Sequence, residues 1–95
     1  MAPRNGTWHG SNWIRKERRL AIYARDGHRC LYCGTGERLS LDHFLPVAKG
    51  GTNCTRNLFT ACVPCNSARG TKNVRTFCSN DAVYLSIINA RNRKI

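Results

Sequence analysis

Acidic side chains are scarce in this chain: 5 Asp and Glu stand against 16 Lys and Arg, a formal charge of +11 at pH 7 over 95 residues. With so few carboxylates most of the cations have no internal partner, and a surplus of this size favours phosphate-rich partners, nucleic acid first. Long apolar runs are missing too. No stretch approaches the roughly 20 apolar residues that cross a bilayer, and the opening residues, Met1 to Gly6, have no apolar core of the kind a signal peptide carries. Together these absences set aside a membrane partner and point to the cytoplasm. Repeats and low-complexity tracts are absent as well. A chain this short is expected to form one domain whose apolar core alone gives marginal stability, a deficit that a metal clamp would fill.

Cysteine, by contrast, is plentiful. Four of the six cysteines fall in two Cys-x-x-Cys pairs, Cys30 with Cys33 and Cys62 with Cys65. In a reducing compartment such pairs are metal ligands rather than disulfides. Four thiolates match the tetrahedral preference of structural zinc, close its coordination shell and leave no open position for water, so any chemistry must lie elsewhere. The 28 residues between the pairs are too many for a simple zinc ribbon and must fold into something of their own. That segment holds an Asp42-His43 dipeptide, and the second pair runs directly into Asn66. A carboxylate, an imidazole and an amide are suited to a second, hydrolytic centre. Cys54 and Cys78 are left over as small buried apolar residues or idle thiols. The Asn53-Cys-Thr55 triplet fits the glycosylation pattern but means little without secretion.

Residues 1–10, with Pro3, Gly6 and Gly10 among polar neighbours, read as a loose basic arm, and residues 11–95 as the single folded domain. From Ser11, an N-cap candidate, a helix is predicted to run to Asp26-Gly27, with Trp13, Leu20 and Ala24 near one face. Its cations Arg15, Arg18 and Arg19 are candidates for nucleic-acid contact, against the plainer alternative of a solvated charged face. Gly34 permits the turn that a metal knuckle needs. Leu39 to Phe44 alternates as a strand does and is broken by Pro46, while residues 56–62 show no decisive period. Asp42 and His43 point to opposite faces of a regular strand, so a joint role requires a strand end or a bend there. A short helix is predicted from Pro64 to Arg69, ended by Gly70. A last helix, capped at Ser79-Asn80-Asp81, carries Val83, Tyr84, Ile87 and Ile88 as a core stripe.

The ordered set Cys30-x-x-Cys33, Leu41-Asp-His-Phe-Leu-Pro-Val-Ala-Lys-Gly-Gly51, Asn57-Leu58, Cys62-x-x-Cys65-Asn66 and Ala68-Arg69-Gly70 resembles the HNH endonuclease family over about residues 18–77. The resemblance implies a small α+β fold: a ββα-metal core, stapled by the four-cysteine zinc site and flanked by N- and C-terminal helices. It further implies His43 as general base, Asp42 and Asn66 as ligands of a catalytic divalent ion, and Asn57 as the asparagine that braces the loop. Asn66 stands where a second histidine is common in the family, which makes the chain an HNN variant. An all-oxygen site suits hard Mg²⁺ or Mn²⁺ better than a softer ion. Arg69 and Lys72 follow the metal-bearing helix and are expected to hold the phosphate backbone.

These readings converge on a metal-dependent DNA endonuclease that nicks one strand per engagement with low sequence specificity and acts as a monomer, with a dimer or a phage packaging partner as further possibilities. Two other classes compete with it. One is a zinc-stabilised module that binds nucleic acid without cutting it, and the other is a phage packaging accessory subunit that docks through an exposed patch around Tyr84 and Ile88.

Overall fold

A computed structural model of the protein describes residues 14–95. The expectations placed on residues 1–10, Ser11 and Trp13 lie outside the described residues. The elements follow in the order α1 (Lys16–Arg25), β1 (Leu39–His43), β2 (Leu58–Cys62), α2 (Val63–Arg69), α3 (Val74–Phe77) and α4 (Asp81–Arg91), with single 3-10 turns at Val47–Lys49 and Thr55–Asn57. The two strands pair antiparallel, with Leu41 opposite Thr60, Asp42 opposite Phe59 and His43 opposite Leu58. The hairpin and the helix that follows it make the ββα unit; α1 and α4 flank it.

Every residue of β2 is buried, which explains why its sequence lacked a period. A strand covered on both faces gains nothing from polar alternation. Leu58 packs with Ile14, Ile22 and Leu41 in one apolar cluster. Phe59 and Ala61 pack with Leu31, Val74, Ile87 and Ala90 in the other. The hairpin thus lies between α1 on one side and the C-terminal helices on the other.

Helix α1 departs from its sequence reading in two respects. It begins at Lys16 with Arg15 in extended conformation, five residues after Ser11, because Ile14 turns inward and is buried against the hairpin. Its inward face is also different: Leu20 is 47 % exposed and Ile22 fully buried, and Ala24 is exposed. The cause is an ion pair at the helix end. Arg25 and Asp26 pair at 2.7 Å with both side chains buried. Asp26 accepts from the Thr60 N–H at 2.8 Å, while Arg25 donates to the carbonyls of Thr55 and Leu58 at 2.9 and 2.7 Å. The backbone of β2 and its approach supply the partners that make burial of two charges tolerable. The helix stops as expected, with Asp26 as C-cap and Gly27 at φ +80°.

The other local expectations hold. Cys62 caps α2 by accepting from the Cys65 N–H, and Gly70 follows it. Asn80 caps α4 through the Val83 N–H. Along α4, Ile87 is buried and Val83 and Tyr84 pack against the same core, so the stripe belongs to the interior. The patch that a docking role required is not exposed: Tyr84 and Ile88 are half-buried. Among the described residues no helix is long and apolar enough to cross a membrane.

Candidate active site and metal knuckles

The ligand atoms of Cys30, Cys33, Cys62 and Cys65 all lie within 4.8 Å of one another. Bonds of about 2.3 Å in a tetrahedron place sulfurs about 3.8 Å apart, and the Cys33 and Cys62 sulfurs are separated by 3.8 Å. The cluster therefore fits one tetrahedral metal ion. In each pair the backbone N–H of the second cysteine points at the sulfur of the first, at 3.5 Å for Cys33 to Cys30 and 3.4 Å for Cys65 to Cys62. Such donors favour thiolate. Burial pushes the Cys30 and Cys65 thiols up, and a hydrogen bond from the Thr35 backbone pulls exposed Cys33 down. A cation in the cluster overrides the effect of burial, since a coordinating thiol is deprotonated outright. The remaining two cysteines stay out of the cluster: Cys54 is exposed and Cys78 half-buried against the core.

The two knuckles hold the neighbouring centre from both sides. Strand β1 ends at His43, so Asp42 and His43 line one cavity of about 560 Å³ even though the strand faces them apart, and Asn66 from α2 lines it too. Asn66 directly follows knuckle residue Cys65. Its amide nitrogen donates to Ser40 Oγ at 3.1 Å and to the Leu41 carbonyl at 3.0 Å. Ser40 already donates its only hydroxyl proton to the Ala61 carbonyl and so accepts here. The Asn66 nitrogen is thus fixed on the strand side, and the amide oxygen remains for a cation.

Asp42 is 5 % exposed and held at both oxygens. Oδ1 accepts from Arg69 Nη1 at 2.9 Å, and Oδ2 accepts at 2.9 Å from the hydroxyl of Tyr32, which sits inside the first knuckle. Burial raises the Asp42 carboxyl above its ordinary value; Arg69 and Tyr32 pull it part of the way back. Burial also drives the Tyr32 phenol well up, so it remains a protonated donor. Each carboxylate oxygen has a second lone pair, and the donor set of Asp42 and Asn66 still fits a hard divalent ion.

Arg69 is a correction. Expected at the phosphate backbone, it is 1 % exposed. Besides Asp42 it donates to the carbonyls of His43, Phe44 and Lys72, so it ties the end of β1 to the end of α2. Buried between carbonyls and a carboxylate, its guanidinium is unavailable to a polyanion. Lys72 and Arg15 are exposed, Arg18 is exposed with one nitrogen on the Asn53 carbonyl, and Arg19 is half-buried.

Asn57 braces the segment between the strands. Its side-chain oxygen accepts from the Leu45 N–H at 2.9 Å, and its nitrogen donates to the carbonyls of Leu45 at 3.1 Å and Thr52 at 2.8 Å. Gly51 is needed for the same loop: a Cβ there would stand 1.7 Å from the Leu45 carbonyl oxygen and 3.0 Å from the Asn57 amide nitrogen. Because the obstacle is backbone, Gly51→Ala is expected to destabilise the fold by about 2 kcal/mol or more. Thermal unfolding checks this, and an unchanged midpoint contradicts it.

Sequence reasoning missed Tyr32, whose only signal was its place in the first knuckle, and Asn53, which had been noticed only as part of a glycosylation triplet. Asn53 Oδ1 lies 2.8 Å from His43 Nε2.

An antiparallel hairpin followed by a short helix, with a four-thiol knuckle pair behind it and a carboxylate, an imidazole and an amide in one cavity, defines the ββα-metal class of small α+β domains. The HNH endonuclease family profile matches residues 30–81, just over half of the chain. The chain belongs to the HNH endonuclease family. Among solved structures it is similar to the Type II-C Cas9 enzyme from Actinomyces naeslundii, with a TM-score of 0.57 and 22 % identity over 82 % of this chain and 11 % of that one. A likeness at that identity speaks for the fold, and it spans about a tenth of the larger enzyme. Comparison with curated proteins gave no match.

Proposed function

We propose that the protein is a metal-dependent endonuclease that hydrolyses DNA phosphodiester bonds, nicking one strand per engagement with low sequence specificity. The observation that carries this reading is the convergence of Asp42, His43 and Asn66 on one cavity, from a strand end and a helix placed side by side by the metal knuckles. In this reading the knuckles hold a structural zinc ion. Asp42 and Asn66 would hold Mg²⁺ or Mn²⁺, which when bound neutralises charge on the scissile phosphate and the leaving oxygen.

The side chains then divide the work. His43 takes a proton from water, whose oxygen attacks phosphorus. The bond to the 3′ oxygen breaks, that oxygen acquires a proton from solvent, and the ends are 5′-phosphate and 3′-hydroxyl. Arg69 and Tyr32 orient Asp42, and Asn57 keeps the loop after His43 in register. The formal charge of +11 draws DNA to the surface, with Lys72, Arg15 and Arg19 as phosphate contacts, while Arg18 is taken up by the Asn53 carbonyl. One site per chain cuts one strand, so a double-strand break requires two engagements or a dimer.

Supercoiled plasmid tests the reading. The zinc-loaded protein is expected to produce the relaxed form with Mg²⁺ or Mn²⁺ and none with EDTA. A folded His43→Ala variant is expected to lose about 10²- to 10⁴-fold in rate, the range for a general base. Equal cutting by both proteins would remove His43 from the role. Binding without cutting by both would make the protein a non-catalytic nucleic-acid module.

A further inference from the structure

We propose that Asn53 is a positioning residue for His43: its amide oxygen accepts the Nε2 proton and so leaves Nδ1 as the basic nitrogen, while Arg18 on α1 anchors the asparagine. The inference deepens the reading of His43 as general base and rests on it. Asn53 is not among the residues that the family resemblance assigns.

The geometry is a relay of two contacts. His43 Nε2 is 2.8 Å from Asn53 Oδ1, and Arg18 Nη2 donates to the Asn53 carbonyl at 2.6 Å. An amide oxygen only accepts, so the ring nitrogen that faces it carries the proton; a neutral imidazole has one such proton, which assigns basicity to the other nitrogen. The chain around Asn53 is tied on both sides. Asn57 donates to the Thr52 carbonyl at 2.8 Å, and the Asn57 N–H donates to the Cys54 carbonyl at 2.8 Å. The acceptor is therefore aimed by its backbone as well as by its own rotamer. Helix α1 (Lys16–Arg25) precedes the matched family segment, residues 30–81. An element outside that segment thus steadies the base through an exposed arginine that composition alone assigns to phosphate.

Imidazole ¹⁵N–¹H NMR of the zinc-loaded protein at pH 8.5, without DNA or Mg²⁺, reads the tautomer directly. The wild type is expected to carry the His43 proton on Nε2. Asn53→Ala is expected to give mixed tautomers, and Asn53→Asp, which keeps an acceptor, is expected to retain the Nε2 proton. In plasmid nicking with Mg²⁺ at the same pH, Asn53→Ala is expected to lose about 10- to 100-fold in kcat, by analogy with the cost of removing the hydrogen-bond partner that orients a metal-ligating imidazole, with KM unchanged. Asn53→Asp should recover most of that loss. Arg18→Ala should show a smaller loss, in kcat rather than in KM. A wild-type proton on Nδ1, an Asn53→Ala variant with unaltered tautomer and rate, or a loss confined to KM overturns the proposal. If His43→Ala cuts as fast as the wild type, the base reading itself has failed and the catalytic half of the proposal falls with it; the tautomer measurement needs no cleavage and judges the hydrogen bond alone.

Discussion

Cys33→Ser is expected to abolish the cooperative thermal transition of the protein, whereas Cys54→Ser leaves it within about 0.5 kcal/mol of wild type, the usual range for surface substitutions. Both cysteines are exposed. Burial therefore predicts the same small effect for each, and only membership of the metal cluster separates them. Cys33 contributes one of the four clustered sulfurs; Cys54 stands at the start of a 3-10 turn. Under the proposed zinc assignment, losing a thiolate ligand weakens a site of a kind whose apparent binding free energy is about 10–16 kcal/mol in zinc-finger peptides. A domain of this size has only about 5–15 kcal/mol of stability in total. Circular dichroism melts with zinc content measured in parallel check the contrast, and a zinc chelator added to wild type should reproduce the Cys33→Ser result. A Cys33→Ser protein that lacks metal yet melts cooperatively near the wild-type midpoint would show that the hairpin and helices stand without the clamp.

The same cluster bears on the neighbouring site. Tyr32 reaches Asp42 from inside the first knuckle and Asn66 follows the last cysteine of the second, so loss of the ion would release both supports of the cavity together.

Arg69→Ala is expected to destabilise the folded protein by about 3–5 kcal/mol, because it strands the Asp42 carboxylate in a buried position with its counter-charge removed. In a domain of this size that corresponds to roughly 15 °C or more in Tm. Three backbone carbonyls also lose their donor, which adds to the cost. Combining Arg69→Ala with Asp42→Asn should recover part of the loss, since a neutral amide needs no cation; the non-additivity measures the ion pair. Thermal or urea unfolding of the four proteins decides it. Had Arg69 been a phosphate contact, its removal would leave stability unchanged and lower the salt dependence of DNA binding by about one unit of log-log slope. That outcome is expected instead for exposed Lys72.

The local chemistry of this protein was legible from residue order. A Cys-x-x-Cys pair needs only the turn between its members, and both pairs form knuckles. Asn80 caps α4 because its side chain reaches an N–H three residues on. Gly27 adopts positive φ just past α1 because a residue without Cβ can do so there. The strand carrying Asp42 and His43 and the helix carrying Asn66 follow from alternation and from proline and glycine punctuation. The family resemblance added the assignment of those residues to one centre.

What residue order did not carry were contacts between segments far apart in the chain. The inward face of α1 is set by the carbonyls and N–H groups of β2, which turn Arg25 and Asp26 into interior residues and leave Leu20 outside. Arg69 was read as surface charge because any arginine after a short helix looks the same until the end of β1 is folded against it. Tyr32 and Asn53 were silent for the same reason: a hydroxyl and an amide acquire a role only when tertiary folding brings Asp42 to the one and His43 to the other. By itself the sequence determined β1, α2, α4 and the end of α1, the four clustered cysteines and the residue types available for chemistry, because those depend on interactions within a few residues. The tertiary structure decided which charges are buried and which polar groups aim the carboxylate and the imidazole, because hydrogen bonds of that kind exist only between partners that the chain brings together from 10 to 35 residues apart.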